Sequence, residues 1–444
     1  MNKTFLSLLS IIIAFFIGFS CQVAEPNNDQ YLRITVEDVS CTEAWIKISA
    51  KGISADKQLI LYRNNEYLTA FTMDKADTLF FDEGLLPSKT YSYKAKLGGF
   101  TAIADVITMD TTSHDFTWQT FLFGGQGGSS VLYDVAIINE NNIWAVGEIH
   151  TEETDQFDSN GVWVQPYNAV HWNGTSWELR RIMFYIDQDQ PTAGRTSAEG
   201  KSIFVFEDSK FAVTSNVQTA IFNSNEEYSI IKMGFNWEDR FTINAMWGTS
   251  SKDFYVVGNN GNIAHYDGSP SGTGWKKIES GTEERIQDIW GARNNKTEDW
   301  DVLCALSPGY GIGQPKILKI HKDKTVENIP WVEGRAVRSV WFNNKLITFA
   351  CGSGVFRRTI DRQWREIAGI DVLNAATERI RGQAINDIFV VGDFGAVMHF
   401  NGHDFQLYPQ PSTISYESCD YKNDILIAVG YNGSHSAEII KMKR

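Results

Sequence analysis

The 444 residues carry 43% hydrophobic side chains, enough for a sizeable core and more than one domain, which excludes a disordered chain. Acidic residues outnumber basic ones 54 to 40, and the resulting charge of −14 repels phosphate backbones and anionic surfaces, so no nucleic-acid partner is expected. The 14 Trp, 16 Tyr, 27 Phe and 36 Gly favour strands joined by tight turns over helices, and the expected class is all-β.

The chain opens on an export signal: Lys3 supplies the positive charge, and the apolar run 5–19 is too short to span a bilayer. It ends in Gly18-Phe19-Ser20-Cys21, which resembles a relaxed lipobox of Bacteroidota-type lipoproteins, although Leu is usual where Gly18 stands. That resemblance implies cleavage of a signal peptide 1–20, lipidation of Cys21 and contact with the membrane through the lipid alone, on an outer-membrane protein facing the periplasm or the surface. Residues 21–30 are polar and contain Pro26, and read as a tether. The remaining cysteines, Cys41, Cys304, Cys351 and Cys419, sit singly inside apolar runs, as buried free thiols do.

Between residues 31 and 110, strand and turn signals alternate at a spacing that suits one small sandwich. Ala44-Trp45-Ile46-Lys47-Ile48 alternates faces, and Leu86-Pro87 precedes Tyr91. Trp45 and Tyr91 stand where fibronectin type III modules place a core tryptophan and a corner tyrosine, so the segment resembles that family and reads as a spacer.

From residue 111 the sequence repeats. A first strand recurs as Tyr133-Asp134-Val135-Ala136, Asn244-Ala245-Met246-Trp247, Gln287-Asp288-Ile289-Trp290 and Arg338-Ser339-Val340-Trp341, with weaker copies near Ile203, Gly382 and Ser418. Second strands follow, such as Phe254-Tyr255-Val256-Val257-Gly258, then third strands such as Ile263-Ala264-His265-Tyr266 and fourth strands led by Trp177, Trp275, Trp364 or Phe405. Four strands make a propeller blade, and seven copies predict seven blades. The last copy lacks a fourth strand, while the lone strand 116–121 precedes the first copy and fits the vacancy. The repeat resembles BNR-type and photosystem-assembly-factor-like propellers. The expectation is therefore a fibronectin type III-like β-sandwich (31–110) followed by a seven-bladed β-propeller (111–444) closed by an N-terminal strand.

Recurrence limits the chemistry. His171, His265 and His399 share one repeat position on different blades, so they do not converge on an ion. Asn173-Gly174-Thr175-Ser176-Trp177 resembles the Asp-box turns of sialidases, which are structural, and no catalytic residue is assigned. Arg285, Arg335, Arg338 and Arg381 are the candidates for facing a central channel, and with them a sialidase-like glycoside hydrolase is the alternative function.

Departures from the repeat say more. An insertion at 148–167, a lengthened link at 185–200 and a shorter insertion at 307–315 all fall where loops of an up-and-down blade emerge on one face. They carry Glu152, Asp155, Asp158, Trp163, Tyr167, Tyr185, Asp187, Asp189 and Tyr310, carboxylates and aromatics suited to a protein or glycan partner. No cofactor is expected; a calcium ion at Asp155, Asp158 and Asn160-Gly161 is the subsidiary expectation, against solvated loop carboxylates. The expected function is non-enzymatic binding or scaffolding through that face.

Overall fold

The structure, a computed structural model, describes residues 30–53, 58–269, 274–293, 299–308, 314–343, 346–359, 363–369 and 375–444. Cys21, most of the tether and Tyr310 lie outside the described residues. Within the described residues the regular structure is strand, apart from short 3-10 turns, and no helix is long and apolar enough to cross a membrane. The chain divides into two compact units, one taking in residues up to Glu37 with Ala44–Asp82 and Thr90–Val106, the other Asp38–Glu43, Glu83–Lys89 and Ile107–Arg444.

The smaller unit is built from a three-stranded sheet, ordered Tyr31–Val39, Glu43–Lys51, Asp77–Glu83, and a four-stranded one, ordered Glu66–Thr72, Gln58–Arg63, Thr90–Leu97, Phe100–Ile107. In Glu43–Lys51 both faces are covered at the start, Trp45, Ile46 and Ile48 being fully buried, and the Trp45 ring lies 5.2 Å from that of Phe81. Tyr91 is buried, and the Tyr93 hydroxyl donates to Asp82 at 2.6 Å, a carboxylate also held by Arg63 at 3.0 Å.

The larger unit contains seven four-stranded antiparallel sheets, and none closes on itself among the described residues. The first is Val131–Asn139, Asn142–Ile149, Tyr167–Trp172, Trp177–Arg180, and the next five span residues 202–232, 243–278, 286–329, 337–368 and 377–407. The seventh takes Ile414–Lys422, Ile425–Asn432 and Ala437–Lys443, and its fourth strand is Thr117–Phe123, with Lys443 opposite Thr117 and Ala437 opposite Phe123. The lone strand expected before the repeat thus pairs where the last repeat lacks one.

Apolar side chains interleave between consecutive sheets. Ala136, Trp144 and Val146 of the first meet Ile203, Phe211 and Val213 of the second, and Leu132, Val135 and Ile143 meet Ile425, Ile427 and Ile439 of the seventh. Trp247 and Trp341 each cover a glycine of the following sheet, Gly291 and Gly382, where a Cβ would lie 2.4 and 3.0 Å from the indole. Packing accounts for these two recurrent tryptophans. Trp290 is half-buried beside the centre, its indole N–H donating to the Phe342 carbonyl at 2.8 Å.

One irregularity is repeated around the molecule. In six first strands the pairing with the second strand skips one residue at the same place, namely Tyr133, Asn244, Gln287, Arg338, Glu378 and Glu417. Each is a β-bulge, which bends the strand and re-aims a side chain. The bowed backbone comes so close to the second strand that a Cβ on Gly147, Gly258, Gly352, Gly392 or Gly430 would lie 1.9 to 2.3 Å from the carbonyl oxygen of a residue in the first strand or just before it. The Gly ending each Val-Val-Gly or Ala-Val-Gly motif answers that close approach, whereas in the fourth sheet Leu306 holds the same place, opposite Ile286.

Register also corrects the repeat frame. Asp134, Ala245, Asp288, Ser339 and Ser418 pair with the second-strand residue before that glycine position; in the second and sixth sheets the equivalents are Ser202 and Arg379, not Ile203 and Gly382. Gly382 was the misleading landmark, because it shares with Gly291 the place beneath a neighbour's tryptophan.

Candidate functional site

The six bulged residues and Lys201, which immediately precedes the first strand of the second sheet, all line one central cavity of about 280 Å³, together with Arg285 and Arg379. Every sheet contributes one side chain from the same structural position. In ring order these are Tyr133, Lys201, Asn244, Gln287, Arg338, Glu378 and Glu417, so donors occupy the sector of the second to fifth sheets and carboxyl groups that of the sixth and seventh.

The next residue along each first strand ties the sheets together. Asp134 accepts from Ser202 Oγ at 2.8 Å and from Ser418 Oγ at 2.7 Å, linking the second and seventh sheets to the first. Asp288 accepts from Ser339 Oγ at 2.5 Å, from Arg379 at 2.5 Å and from both terminal nitrogens of Arg381 at 2.8 to 3.0 Å. Burial pushes the Asp288 carboxyl up, but Arg381 and Arg379 outweigh it and hold the group down at about 2. Beyond this layer lies a second cavity of about 300 Å³, to which Trp290, Arg381 and Lys422 contribute, with the Arg381 guanidinium 4.6 Å from the Trp290 ring centre. Arg379 lines both cavities.

The carboxyl sector is electrostatically uneasy. Glu378 is pushed up to about 7 by burial, with Glu417 and Asp393 adding to the rise and Arg338, 3.0 Å away, opposing it. Glu417 is raised by burial and by Asp393, against Arg338, Arg379 and Arg285. Across the ring, burial and a hydrogen bond to Glu199 raise the Tyr133 hydroxyl, and Lys201 lies 4.4 Å over the Tyr133 ring while pairing with Glu199 at 2.6 Å.

Glu199 belongs to the lengthened link, and Glu148, opposite Val131, begins the first insertion. Both large insertions therefore rise beside the cavity's rim. They are knit together: Gln165 Oε1 accepts from Ser197 N at 2.6 Å and from Thr196 Oγ1 at 3.0 Å, and Asn168 Nδ2 donates to the Ile182 and Ala198 carbonyls at 2.8 and 2.7 Å.

The insertion folds into an extra hairpin, Gln156–Phe157 against Trp163–Val164, which sets Phe157 and Trp163 edge to face at 5.2 Å. Phe157 is 67% exposed and Trp163 47%. The residue expectations separate here. Tyr167 is sandwiched, its hydroxyl donating to Glu153 at 2.5 Å and the Arg181 guanidinium 3.7 Å from its ring. Glu152 is exposed and its carbonyl is taken by Gln156. Asp155 binds His150 at 2.6 Å, and Asp158 accepts the backbone N–H groups of Asn160 and Val162 at 2.8 Å, each carboxylate thus having local partners. Among the described residues no group of three or more His, Cys, Asp or Glu is placed to hold a metal ion.

In the link, Tyr185 pairs with Arg195 on a short ladder and has Lys232 5.3 Å from its ring. Asp187 accepts the Asp189 N–H at 2.8 Å, and Asp189 pairs with Arg240 at 2.7 Å on the wall of an outer groove of about 640 Å³. That groove is larger than the central cavity, and Ser269 and Gly274 are among its lining residues. Of the channel arginines expected, Arg285 and Arg338 reach the central cavity, Arg381 lies in the layer beneath, and Arg335 instead pairs with Glu366 on the outside.

The recurrent histidines are structural. His171, His265 and His399 each face the residue that opens or immediately follows the opening of the second strand of their own sheet: Asn142 at 3.1 Å, Asp253 at 2.6 Å and Asp387 at 2.7 Å. Cys41, Cys304, Cys351 and Cys419 are buried and unbridged.

Neither a protein family nor a curated protein matches the sequence. Solved structures do match, and they define the class: the chain folds as a β-propeller over about three quarters of its length. One is YCF48 bound to D1 peptide, with a TM-score of 0.52 and 11% identity, covering 76% of this chain and 100% of that one. Another is the WD40 β-propeller domain of Doa1, with a TM-score of 0.50 and 11% identity, covering 75% of this chain and 98% of that one. At such identity the likeness is one of fold.

Proposed function

We propose that the chain is a non-enzymatic lipoprotein of the cell envelope, anchored through Cys21, whose seven-bladed propeller binds a protein partner on its insertion-bearing face. The observation that carries this reading is the hairpin bearing Phe157, Val162 and Trp163, an exposed apolar tip on a framework braced by Gln165 and Asn168. Exposed aromatics on a rigid support are the usual anchors of a protein interface. A protein partner is further supported by YCF48, of similar fold, having been solved bound to D1 peptide. Seven four-stranded sheets, the last packed on the first, support seven blades in a ring sealed by Thr117–Phe123. The strand orders of the smaller unit, with Trp45 fully buried, support a fibronectin type III-like spacer over residues 31–110.

A photo-crosslinker at position 163 in cells, read beside a glycan array, tests the siting. A protein adduct lost in the Phe157→Ala/Trp163→Ala variant at unchanged melting temperature supports it; a glycan signal lost in its place makes the partner a glycan, and identical profiles refute the site. Changing Cys21 to Ala should release the protein from the membrane fraction, and a wild type already soluble refutes the anchor. The alternative, a sialidase-like hydrolase, draws on the cavity that collects Tyr133, Arg285, Arg338 and Glu378. A panel of chromogenic glycosides without turnover removes it.

A further inference from the structure

We propose that the central cavity is a binding site for a small zwitterion of the α-amino-acid class, its ammonium group held by Glu417 and Glu378 and its carboxylate by Arg285. The site stands on its own, whether or not the outer hairpin binds a partner.

The argument begins with two opposite charges that do not meet. Glu417 sits in the cavity wall, and among the described residues nothing donates to its carboxylate or pairs with it. Arg285 lines the same cavity, exposed, and its one polar side-chain contact among the described residues is a long one, 3.5 Å to Asn244 Oδ1. The two feel each other's charge yet form no ion pair. A charge removed from water without a partner is costly, and a covered carboxylate facing an unmatched guanidinium invites a molecule with the complementary pair.

The other cations are already engaged. Lys201 is held by Glu199, Arg379 by Asp288, and Arg338 by Glu378, whose single arginine contact leaves room for a second cation. Between the poles stand Tyr133, Asn244 and Gln287, neutral groups that accept or donate as an amino-acid backbone requires. The volume, about 280 Å³, lies just below the range of drug-sized ligand sites, about 300 to 1,000 Å³, so one amino acid fits and an oligomer does not.

Isothermal titration of the full-length protein with a panel of L-amino acids tests the site, with ethylamine and acetate as half-ligands. The expected result is binding of at least one amino acid, none of either half-ligand, and at least tenfold weaker binding in both E417Q and R285Q. Binding should strengthen as pH rises through about 7, since the ammonium needs Glu378 and Glu417 ionised; the groups facing them are Arg338, Arg379, Asp393 and, for Glu417, Arg285. Melting temperatures check that each variant is folded, and R285K, which keeps the charge, should retain more binding than R285Q. No heat and no melting shift with any amino acid at 10 mM, a concentration of about 10⁻² M where even weak sites respond, would mean a cavity holding only water and would overturn the proposal. Binding left unchanged in E417Q and R285Q would overturn it equally. Adduct formation by the hairpin at Trp163 is a separate readout, so the two readings fail separately.

Discussion

Replacing Glu378 by Gln removes a carboxyl group that the folded ring holds in the wrong charge state above neutrality. Its side chain is 13% exposed, and burial lifts it from the ordinary 4.5 to about 7. The folded protein therefore binds this proton more tightly than the unfolded chain, and stability is fully present below 4.5 and is lost as pH rises through 7. That displacement corresponds to about 3 kcal/mol at pH 8, an upper value because Arg338, 38% exposed, loses its partner to solvent at a cost below about 1 kcal/mol. The Gln variant should thus be about 2 to 3 kcal/mol more stable than the wild type at pH 8 and no more stable at pH 4.5. Because Glu417 shares the site, the wild-type curve reports the pair rather than one residue. Urea unfolding at half-unit steps from pH 4.5 to 8, followed by tryptophan fluorescence, measures the difference. A Gln variant less stable at pH 8, or one whose advantage does not change with pH, would refute the electrostatic account of the cavity.

Two further substitutions probe the frame around it. Gly430→Ala should cost about 2 kcal/mol or more in the same assay, since its Cβ would lie 1.9 Å from the Ser415 carbonyl oxygen; a change under about 0.5 kcal/mol would show that the bulge yields freely. Arg444→Ala should cost about 2 kcal/mol, because Arg444 pairs with the nearly covered Asp387 at 2.7 Å and donates to the Ser113 carbonyl at 2.9 Å, and an unchanged urea midpoint would remove it from the seal.

The repeat was legible because packing imposes it. Trp247 and Trp341 need a neighbour's glycine beneath them, and each Val-Val-Gly ends where a facing carbonyl leaves no room for a Cβ, so both leave marks in the sequence. The vacant strand of the last copy and the spare one at 116–121 were legible for the same reason. The cavity ring was not. A bulge inserts one residue into a period-two strand, so Glu378, between Thr377 and Arg379, and Glu417, between Tyr416 and Ser418, read as unrelated strand residues instead of as one side of a common site. The signal was present as a column of polar residues just before the aligned position, but a frame set by Ile203 and Gly382 scattered two of its seven members. Among the loop residues, Trp163 is displayed as expected, while Tyr167 and Asp189 were legible as chemistry yet are engaged by Arg181 and Arg240, partners far enough along the chain to be invisible there.

The pairing of Thr117–Phe123 with Ala437–Lys443 joins residues 326 positions apart, and it has a consequence for biogenesis. Most other sheets form from consecutive segments as the chain emerges, but the seventh waits for residues 437–443. Until then an early strand shows unpaired N–H and C=O groups along an edge, the feature that recruits other chains into aggregates. Contacts of such long sequence separation also form late. Without residues 437–443, both Thr117–Phe123 and Ile425–Asn432 would show an unpaired, adhesive edge, whereas Ala437–Lys443 covers the two at once. Ala437–Lys443 is thus a latch for the seventh sheet: until it is in place, the early strand has no partner there.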